Sequence, residues 1–288
     1  MNITATRITT QVRTWALIAA LSALIVVIGG QFLGSSGYLF AVIIALGFNL
    51  AMYWFSAPMA LRASKAQPAG ENEYPELHEI VRDLAARAHV PVPKLYIVPS
   101  DQPNAFATGR NQKHSAVAVT QGLIRYLPSD QVRGVLAHEF AHIKNRDILV
   151  SSIAAGLGAI ITGIAYALQF GMLFGGGDDD DGPLGMVGAL AMIILAPLAA
   201  TILQLAVSRQ REYLADATGA SFIGDPNPLA NALETLERGT QQIPLPVNPS
   251  VASLYIANPL HGKGVQGLFS THPPMEERIR RLRALKVG

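Results

Sequence analysis

The residues best suited to chemistry are the five from 138 to 142, which spell His138-Glu139-Phe140-Ala141-His142. On an α-helix of 3.6 residues per turn, positions four apart lie one above the other, so both imidazoles could bind the same Zn²⁺. Glu139 lies beside them, where its carboxylate could take a proton from water. Zinc as a Lewis acid together with a nearby carboxylate is suited to hydrolysis of a peptide bond. The motif therefore predicts a zinc protease, and the alternative is a helix that carries these residues by chance.

A catalytic zinc usually has three protein ligands and one open position for water, so a further ligand is needed. Residues 209–216 place Glu212 and Asp216 four positions apart on one helical face. We predict Glu212 as the third ligand, because two histidines and a glutamate are a well-attested catalytic set. Asp216 is predicted to accept a hydrogen bond from His138 or His142 and fix its tautomer. Asp216 is also the rival ligand, and a solvated helix face paired with nearby arginines is the alternative for both acids.

The composition indicates that part of the chain lies in lipid. Of its 288 residues, 50% are hydrophobic, and the mean hydropathy is +0.30. Four apolar segments are long enough to cross a bilayer. They are residues 14–33, 38–61, 148–174 and 186–207. The first two form a predicted transmembrane hairpin with an uncleaved anchor, since the first is too long for a signal peptide and an equally apolar partner follows at once.

The cationic residues predict the orientation of these segments. One end of every segment is flanked by Lys or Arg, namely Arg7, Arg13, Arg62, Lys65, Lys144, Arg146, Arg209 and Arg211. Cytosolic ends of membrane spans are enriched in these residues. The connections 34–37 and 175–185 lack both types and should face outward, and the second of them carries four aspartates at 178–181. We therefore expect a multi-pass protein with both termini and the metal motif in the cytosol.

Four parts of the chain follow from this topology. Residues 1–61 form the first membrane hairpin, 62–147 a cytosolic catalytic part with the metal motif, 148–207 the second hairpin with its acidic outward loop, and 208–288 a second cytosolic catalytic part. Because the second hairpin leaves the cytosol and returns, it can bring Glu212 back to His142. The active site should then lie at or near the membrane surface.

The cytosolic parts show helical and strand patterns. Apolar spacing predicts a helix at Pro75–Ala88, and strands are predicted at Lys94–Val98 and at 115–120. Pro128 and Ser129 precede the helix that carries the metal motif. A basic amphipathic helix is predicted at 275–285. The expected fold class is α+β and mostly helical, an integral membrane protein with four spans and a cytosolic zincin-like catalytic domain of the gluzincin type, containing a small sheet.

Charge and cysteine content exclude other classes of function. The net charge is +2, and most Lys and Arg residues are scattered along the chain, which argues against a nucleic-acid partner. The chain has no cysteine, so disulfides and thiolate metal sites are excluded and a metal must be held by His, Asp or Glu.

Two further segments could act on the substrate. His272, which precedes two prolines and the basic helix, is predicted to stabilise the oxyanion formed when water attacks the scissile carbonyl, with helix entry as the alternative. Asn104, Ala105 and Phe106, with the run from His114 to Thr120, could bind substrate as an added strand at a sheet edge. A plain strand and turn packed on the metal helix is an equally good interpretation.

The motifs together resemble those of one known family, the membrane-bound zinc metalloproteases of the HtpX type, which are related to the CAAX prenyl proteases. The resemblance is carried by HEFAHIKNRD at 138–147, REYLAD at 211–216, STHPP at 270–274 with Arg278 behind it, and NAF at 104–106. The order of these motifs and the four apolar segments are also similar. The acidic run at 178–181 is not a feature of that pattern.

The resemblance implies a zinc-dependent endopeptidase of the bacterial inner membrane that faces the cytosol. Its role would be quality control of damaged or misfolded membrane proteins, often under heat or envelope stress. His138, His142 and Glu212 would hold one Zn²⁺ per chain, and Glu139 would be the general base. Its partners would be membrane-protein or unfolded polypeptide substrates and the lipid bilayer, with other membrane proteases as candidates.

Two other functions remain open at this point. The first is a non-catalytic membrane adaptor or holdase that keeps zinc for structural reasons, although the intact Glu139 argues against it. The second is a protease that cuts inside the bilayer. Charged residues surround the metal motif, namely Arg133, Lys144, Arg146 and Asp147. Cleavage in cytosolic or juxtamembrane segments is therefore favoured over cleavage within the membrane.

Overall fold

The computed structural model describes residues 53–149, 209–243, 254–257 and 273–286, together with the isolated residues 12, 16, 39, 42, 43, 47, 50, 51 and 151. The predicted spans, apart from the end of the second, and the acidic run at 178–181 lie almost wholly outside these residues. None of the helices built from the described residues combines the length and the hydropathy that a bilayer crossing requires.

The described elements are helical for the most part. The helices are α1 (Pro75–Ala88), α2 (Gln121–Tyr126), α3 (Ser129–Asn145), α4 (Arg209–Ile223), α5 (Asn227–Gln242) and α6 (Met275–Arg283). The strands are β1 (Gln67–Pro68), β2 (Lys94–Val98), β3 (Ala105–Asn111) and β4 (His114–Thr120). The expected mostly helical α+β fold with a small sheet is therefore confirmed. The predicted α1, β2 and β4 agree with the structure to within one residue.

The four strands form a mixed sheet in the order β1-β2-β4-β3. β2 and β4 are parallel, whereas β3 is antiparallel to β4, with Ala105 opposite Val119. β3 is therefore an edge strand of the described sheet. Its sequence contains two alanines and a glycine in the first five positions, which are poor strand formers, and this explains why no alternating pattern predicted it.

Helices α1 and α3 pack on one face of the sheet. α1 buries one apolar stripe at helical spacing, formed by Leu77, Ile80, Val81, Leu84, Ala85 and Ala88. Alternate strand residues such as Val117 and Val119 join this core, whereas Phe106 and Ala118 point to the opposite face. On that second face lie Ala60, from a helical stretch at 53–63, and Tyr255.

Helix α4 packs against α3 at backbone contact distance. A Cβ atom added to Gly219 would lie 2.9 Å from the carbonyl carbon and oxygen of Ala137 and from the nitrogen of His138. Only glycine permits so close an approach at this point. The two helices run in opposite directions, because Gly219 meets Ala137 while Glu212 meets His142, which lies further along α3. This packing is what brings Glu212 to the two histidines.

Candidate active site

The two histidines of α3 direct the same ring nitrogen toward each other. His138 Nε2 and His142 Nε2 are 3.1 Å apart, and the ring planes are at 90°. His138 is 1% exposed in this position, whereas the side chain of His142 is 16% exposed. The side of the pair nearest His142 is therefore the side that solvent reaches.

Glu212 completes a triangle of donor atoms. Its Oε2 lies 3.6 Å from His138 Nε2, and its Oε1 lies 3.6 Å from His142 Nε2. In a tetrahedral zinc site with bonds of about 2.0–2.2 Å, neighbouring donors are roughly 3.3–3.6 Å apart. The distances among the three donors are close to this geometry, so the three residues fit a zinc ion with room for a fourth ligand. They are also a group of His and acidic residues in the described chain whose ligand atoms lie within 4.8 Å of one another.

Asp216 lies on the far side of His138 from this triangle. Its Oδ1 is 2.9 Å from His138 Nδ1, which is the ring nitrogen that does not face Glu212. A carboxylate in this position fixes the tautomer and orientation of a metal-binding histidine. The geometry thus favours Glu212 over Asp216 as the third ligand, and it places the hydrogen bond predicted for Asp216 at His138.

His142 has an acidic partner of its own, which the sequence did not indicate. Helix α3 ends at Asn145, and Arg146 follows in the left-handed region with φ 64°. The chain turns back at this residue, the Asp147 backbone N–H donates to His142 O, and Asp147 Oδ2 lies 3.4 Å from His142 Nδ1. Asp147 is 2% exposed. Each histidine therefore has a carboxylate on the ring nitrogen opposite the triangle.

Arg278 of α6 is the buried cation of the site. Its Nε donates to Asp216 Oδ2 at 2.9 Å and its Nη2 donates to Asp216 Oδ1 at 2.7 Å, while its Nη1 lies 3.8 Å from Glu212 Oε2. It is 0% exposed. The sequence placed Arg278 only within the resemblance, because it sits among three other arginines of a basic helix. The signal that could have found it is its spacing, since Arg278 and Leu282 share the buried face of α6.

These contacts determine how the buried acid and base share protons. Burial raises the pKa of Asp216, but the charge and hydrogen bonds of Arg278 and the hydrogen bond from His138 outweigh it and hold the pKa at about 2. Burial and the Arg278 charge oppose protonation of His138, yet its hydrogen bonds to Asp216 and Glu212 and the charge of Asp216 raise its pKa to about 9. Without metal, His138 is therefore protonated at neutral pH.

We expect zinc to displace this proton on binding, because zinc takes the neutral imidazole. Since the pKa of His138 lies near 9 in the metal-free protein, its apparent zinc affinity should rise about tenfold per pH unit between pH 6 and pH 8. Competition with a chromogenic chelator across this range measures the slope. An affinity that does not change with pH would contradict the protonated state.

Replacing Arg278 by methionine should weaken zinc binding and destabilise the fold. The change leaves the buried Asp216 without its bidentate partner, which costs on the order of 3–5 kcal/mol for a buried ion pair. Asp216 in turn orients the metal ligand His138, and disturbing such a partner weakens metal binding by about 10–100-fold. Urea unfolding and zinc titration measure the two effects. Arg280→Met on the exposed face of the same helix is the control, and equal behaviour of both variants would exclude this role of Arg278.

Glu139 is buried beside the triangle and is 2% exposed. Burial raises the pKa of its carboxyl, and the negative charge of Glu212 adds to this effect. The charges of His138 and His142 and a hydrogen bond from the Ala107 backbone N–H act in the opposite direction, and the pKa remains raised. A carboxylate with a raised pKa is a more effective proton acceptor near neutral pH. The bond to Ala107 also places the edge strand β3 directly next to Glu139.

The predicted substrate strand is buried at its beginning. Asn104, Ala105 and Phe106 are each 0% exposed, and residues 254–257 cover them. The Ile256 N–H donates to Ala105 O at 3.1 Å, and the Asn104 side chain bonds both backbone groups of Ala257. The outer edge of β3 is therefore bonded within the chain at Ala105. His272, the predicted oxyanion donor, lies outside the described residues.

Comparisons with known proteins find one matching family, similar sequences and a similar fold. The model of peptidase family M48 matches residues 71–286. A protein named protease HtpX homolog from Syntrophobacter fumaroxidans is 52% identical over 277 residues, covering 95% of this chain and 98% of that protein. A protein with the same name from Pelotomaculum thermopropionicum is 50% identical, covering 96% and 99%. The crystal structure of S. mikatae Ste24p has a similar fold, with a TM-score of 0.51 and 20% identity over 96% of this chain and 66% of that chain.

Proposed function

Because the chain belongs to peptidase family M48, we propose that it is a zinc-dependent endopeptidase of the bacterial inner membrane that cleaves misfolded or damaged membrane proteins. Membership of this family makes it a metalloprotease. We propose that its catalytic domain faces the cytosol, that it acts on these substrates in quality control under stress, and that each chain binds one zinc ion. The observation that carries the proposal is the convergence of His138, His142 and Glu212 beside the buried Glu139.

The residues of the site divide the chemistry among them. Zinc held by His138, His142 and Glu212 would polarise the scissile carbonyl and lower the pKa of water. Glu139 takes the proton from the attacking water on its carboxylate and gives it to the leaving amine. The raised pKa of Glu139 suits both steps. A group that first accepts a proton and then donates it is most effective when its pKa approaches the working pH. Asp216 and Asp147 contact the Nδ1 atoms of His138 and His142 and so fix the orientation of the two rings.

The substrate backbone would pair with the part of β3 that lies next to Glu139. An extended peptide that adds to a sheet edge is held by backbone hydrogen bonds, which many sequences can make. Ala107 is the residue of β3 that contacts Glu139, and residues 254–257 occupy the edge before it. Binding of this kind suits a protease that must accept many damaged proteins. The oxyanion role of His272 stays a prediction.

The directions of the two metal-binding helices support a site near the membrane surface. Glu212, close to the start of α4, lies beside His142, close to the end of α3. The chain therefore leaves toward residues 148–174 and returns from residues 186–207 on the same side of the site. This arrangement is what the proposed second membrane hairpin requires. A site at this height would cleave cytosolic or juxtamembrane segments of a substrate.

The proposal is tested with the purified full chain in a bilayer and a misfolded membrane protein as substrate. We expect cleavage at cytosolic or juxtamembrane positions, located by mass spectrometry of the products. A chelator should stop the reaction and added zinc should restore it. Cleavage that resists chelation would contradict the zinc mechanism. Tight binding of the substrate without any cleavage would instead support the adaptor or holdase.

A further inference from the structure

One end of the sheet carries basic side chains on adjacent elements. Because β2 and β4 are parallel and β3 is antiparallel to them, this end holds the start of β2, the end of β3 and the start of β4. We call it the basic end of the sheet and define it by Lys94, Arg110, Lys113 and His114. The segments 89–94 and 110–114 contain no Asp or Glu. Lys94, Lys113 and His114 are exposed.

Apolar side chains lie between these charges. Val92, just before β2, is 58% exposed, and Trp54 is 48% exposed. The Arg110 guanidinium carbon lies 3.9 Å from the centre of the Trp54 ring, so the end of β3 and the helical stretch 53–63 are in contact. A surface that contacts both the headgroups and the upper acyl region of a membrane typically combines exposed apolar or aromatic side chains with Lys and Arg.

Three connections to the proposed spans meet at the basic end of the sheet. Trp54 of the helical stretch 53–63 lies there, and the stretch crosses the sheet face, because Ala60 packs with Val98 and Phe106. The Gln112 side chain donates to Lys144 O, so the β3–β4 turn also touches the end of α3. Helix α4 starts next to that end of α3, as Glu212 and His142 show.

We propose that the basic end of the sheet rests on the anionic phospholipid headgroups of the membrane in which the chain is anchored. Lys94 and Lys113 bind phosphates, while Val92 and Trp54 enter the interface. The contact keeps the active site at a fixed height and tilt above the bilayer, within reach of juxtamembrane segments of a substrate. This inference rests on the proposed membrane location and goes beyond it by naming the surface and its lipid.

The chain has no cysteine, so a single introduced cysteine can carry a fluorescent probe. Val92→Cys labels the basic end of the sheet. Gln121→Cys is the matched control, because Gln121 is exposed and follows β4 at the opposite end. The full chain is placed in vesicles of equal parts phosphatidylcholine and phosphatidylglycerol that carry a headgroup quencher, and in vesicles of phosphatidylcholine with the same quencher. Vesicle flotation first reports whether the chain is in the membrane, and a chain that does not float would reject both the proposed membrane location and this inference.

We expect the probe at position 92 to be quenched more strongly than the probe at 121, and more strongly with phosphatidylglycerol than without it. Each basic residue near an anionic surface contributes about fivefold to binding, so Lys94→Gln with Lys113→Gln should remove this excess quenching. High salt should remove it as well. Equal quenching at both positions, or quenching at 92 that ignores phosphatidylglycerol, would overturn the inference. Quenching needs no proteolysis, so this result is independent of whether the proposed substrates are cleaved.

Discussion

Replacing Glu139 by glutamine should slow peptide hydrolysis by about 10²–10⁴-fold while zinc stays bound. Glutamine has nearly the same shape and its amide oxygen can still accept the Ala107 N–H, but it cannot take a proton from water. Glu139 is not one of the residues whose ligand atoms form the metal triangle, so the zinc content should not change. Initial rates on an unfolded substrate and metal analysis of the same sample measure both quantities.

Glu79→Gln is a matched control for this change. Glu79 is exposed on α1. Its replacement should leave both the rate and the zinc content unchanged. Undiminished activity of the Glu139→Gln variant would reject Glu139 as the general base.

Replacing Glu212 by alanine should remove zinc and with it all activity. Both oxygens of Glu212 face the Nε2 atoms of the two histidines. Alanine has no oxygen at this position, so only the two histidines would remain to bind the metal. Asp216→Ala should keep zinc, bound about 10–100-fold more weakly, because Asp216 acts through the other nitrogen of His138. Zinc titration of the two variants decides between them.

Glu276→Ala is the control for these variants, since Glu276 is an exposed acid on α6. It should bind zinc like the unchanged chain. Loss of zinc in the aspartate variant alone would make Asp216 the ligand and reject Glu212.

Local patterns were enough to predict much of the site. The spacing of His138 and His142 predicted one helical face, and the structure places both side chains on it. Glu212 was predicted because two histidines and a glutamate are a well-attested zinc set and the predicted second hairpin would bring it back to His142, and it lies next to both histidines. These predictions depended on spacing along one helix or on the topology of one hairpin, both of which can be read from the sequence.

The remaining features depend on contacts that no local pattern encodes. Arg278 looks like a solvated arginine of a basic helix until α6 is known to pack on Asp216. Asp147 reaches His142 only because Arg146 adopts a left-handed conformation, which favours glycine or asparagine and is uncommon for arginine. Residues 254–257 were not predicted to cover β3, because backbone hydrogen bonds leave no signature in side-chain composition.

The position of Arg278 along the chain has a consequence for synthesis. A ribosome builds the chain from its amino end, and Arg278 follows Asp216 by 62 residues. During that interval Asp216 lacks the guanidinium that holds it in place beside His138, so the incomplete enzyme should hold zinc poorly. Zinc titration of ribosome-bound chains halted before residue 275 would report weak binding if this is correct, and full-strength binding would refute it. The nascent protein would then acquire the ability to cut its neighbours only after the ribosome has passed residue 278.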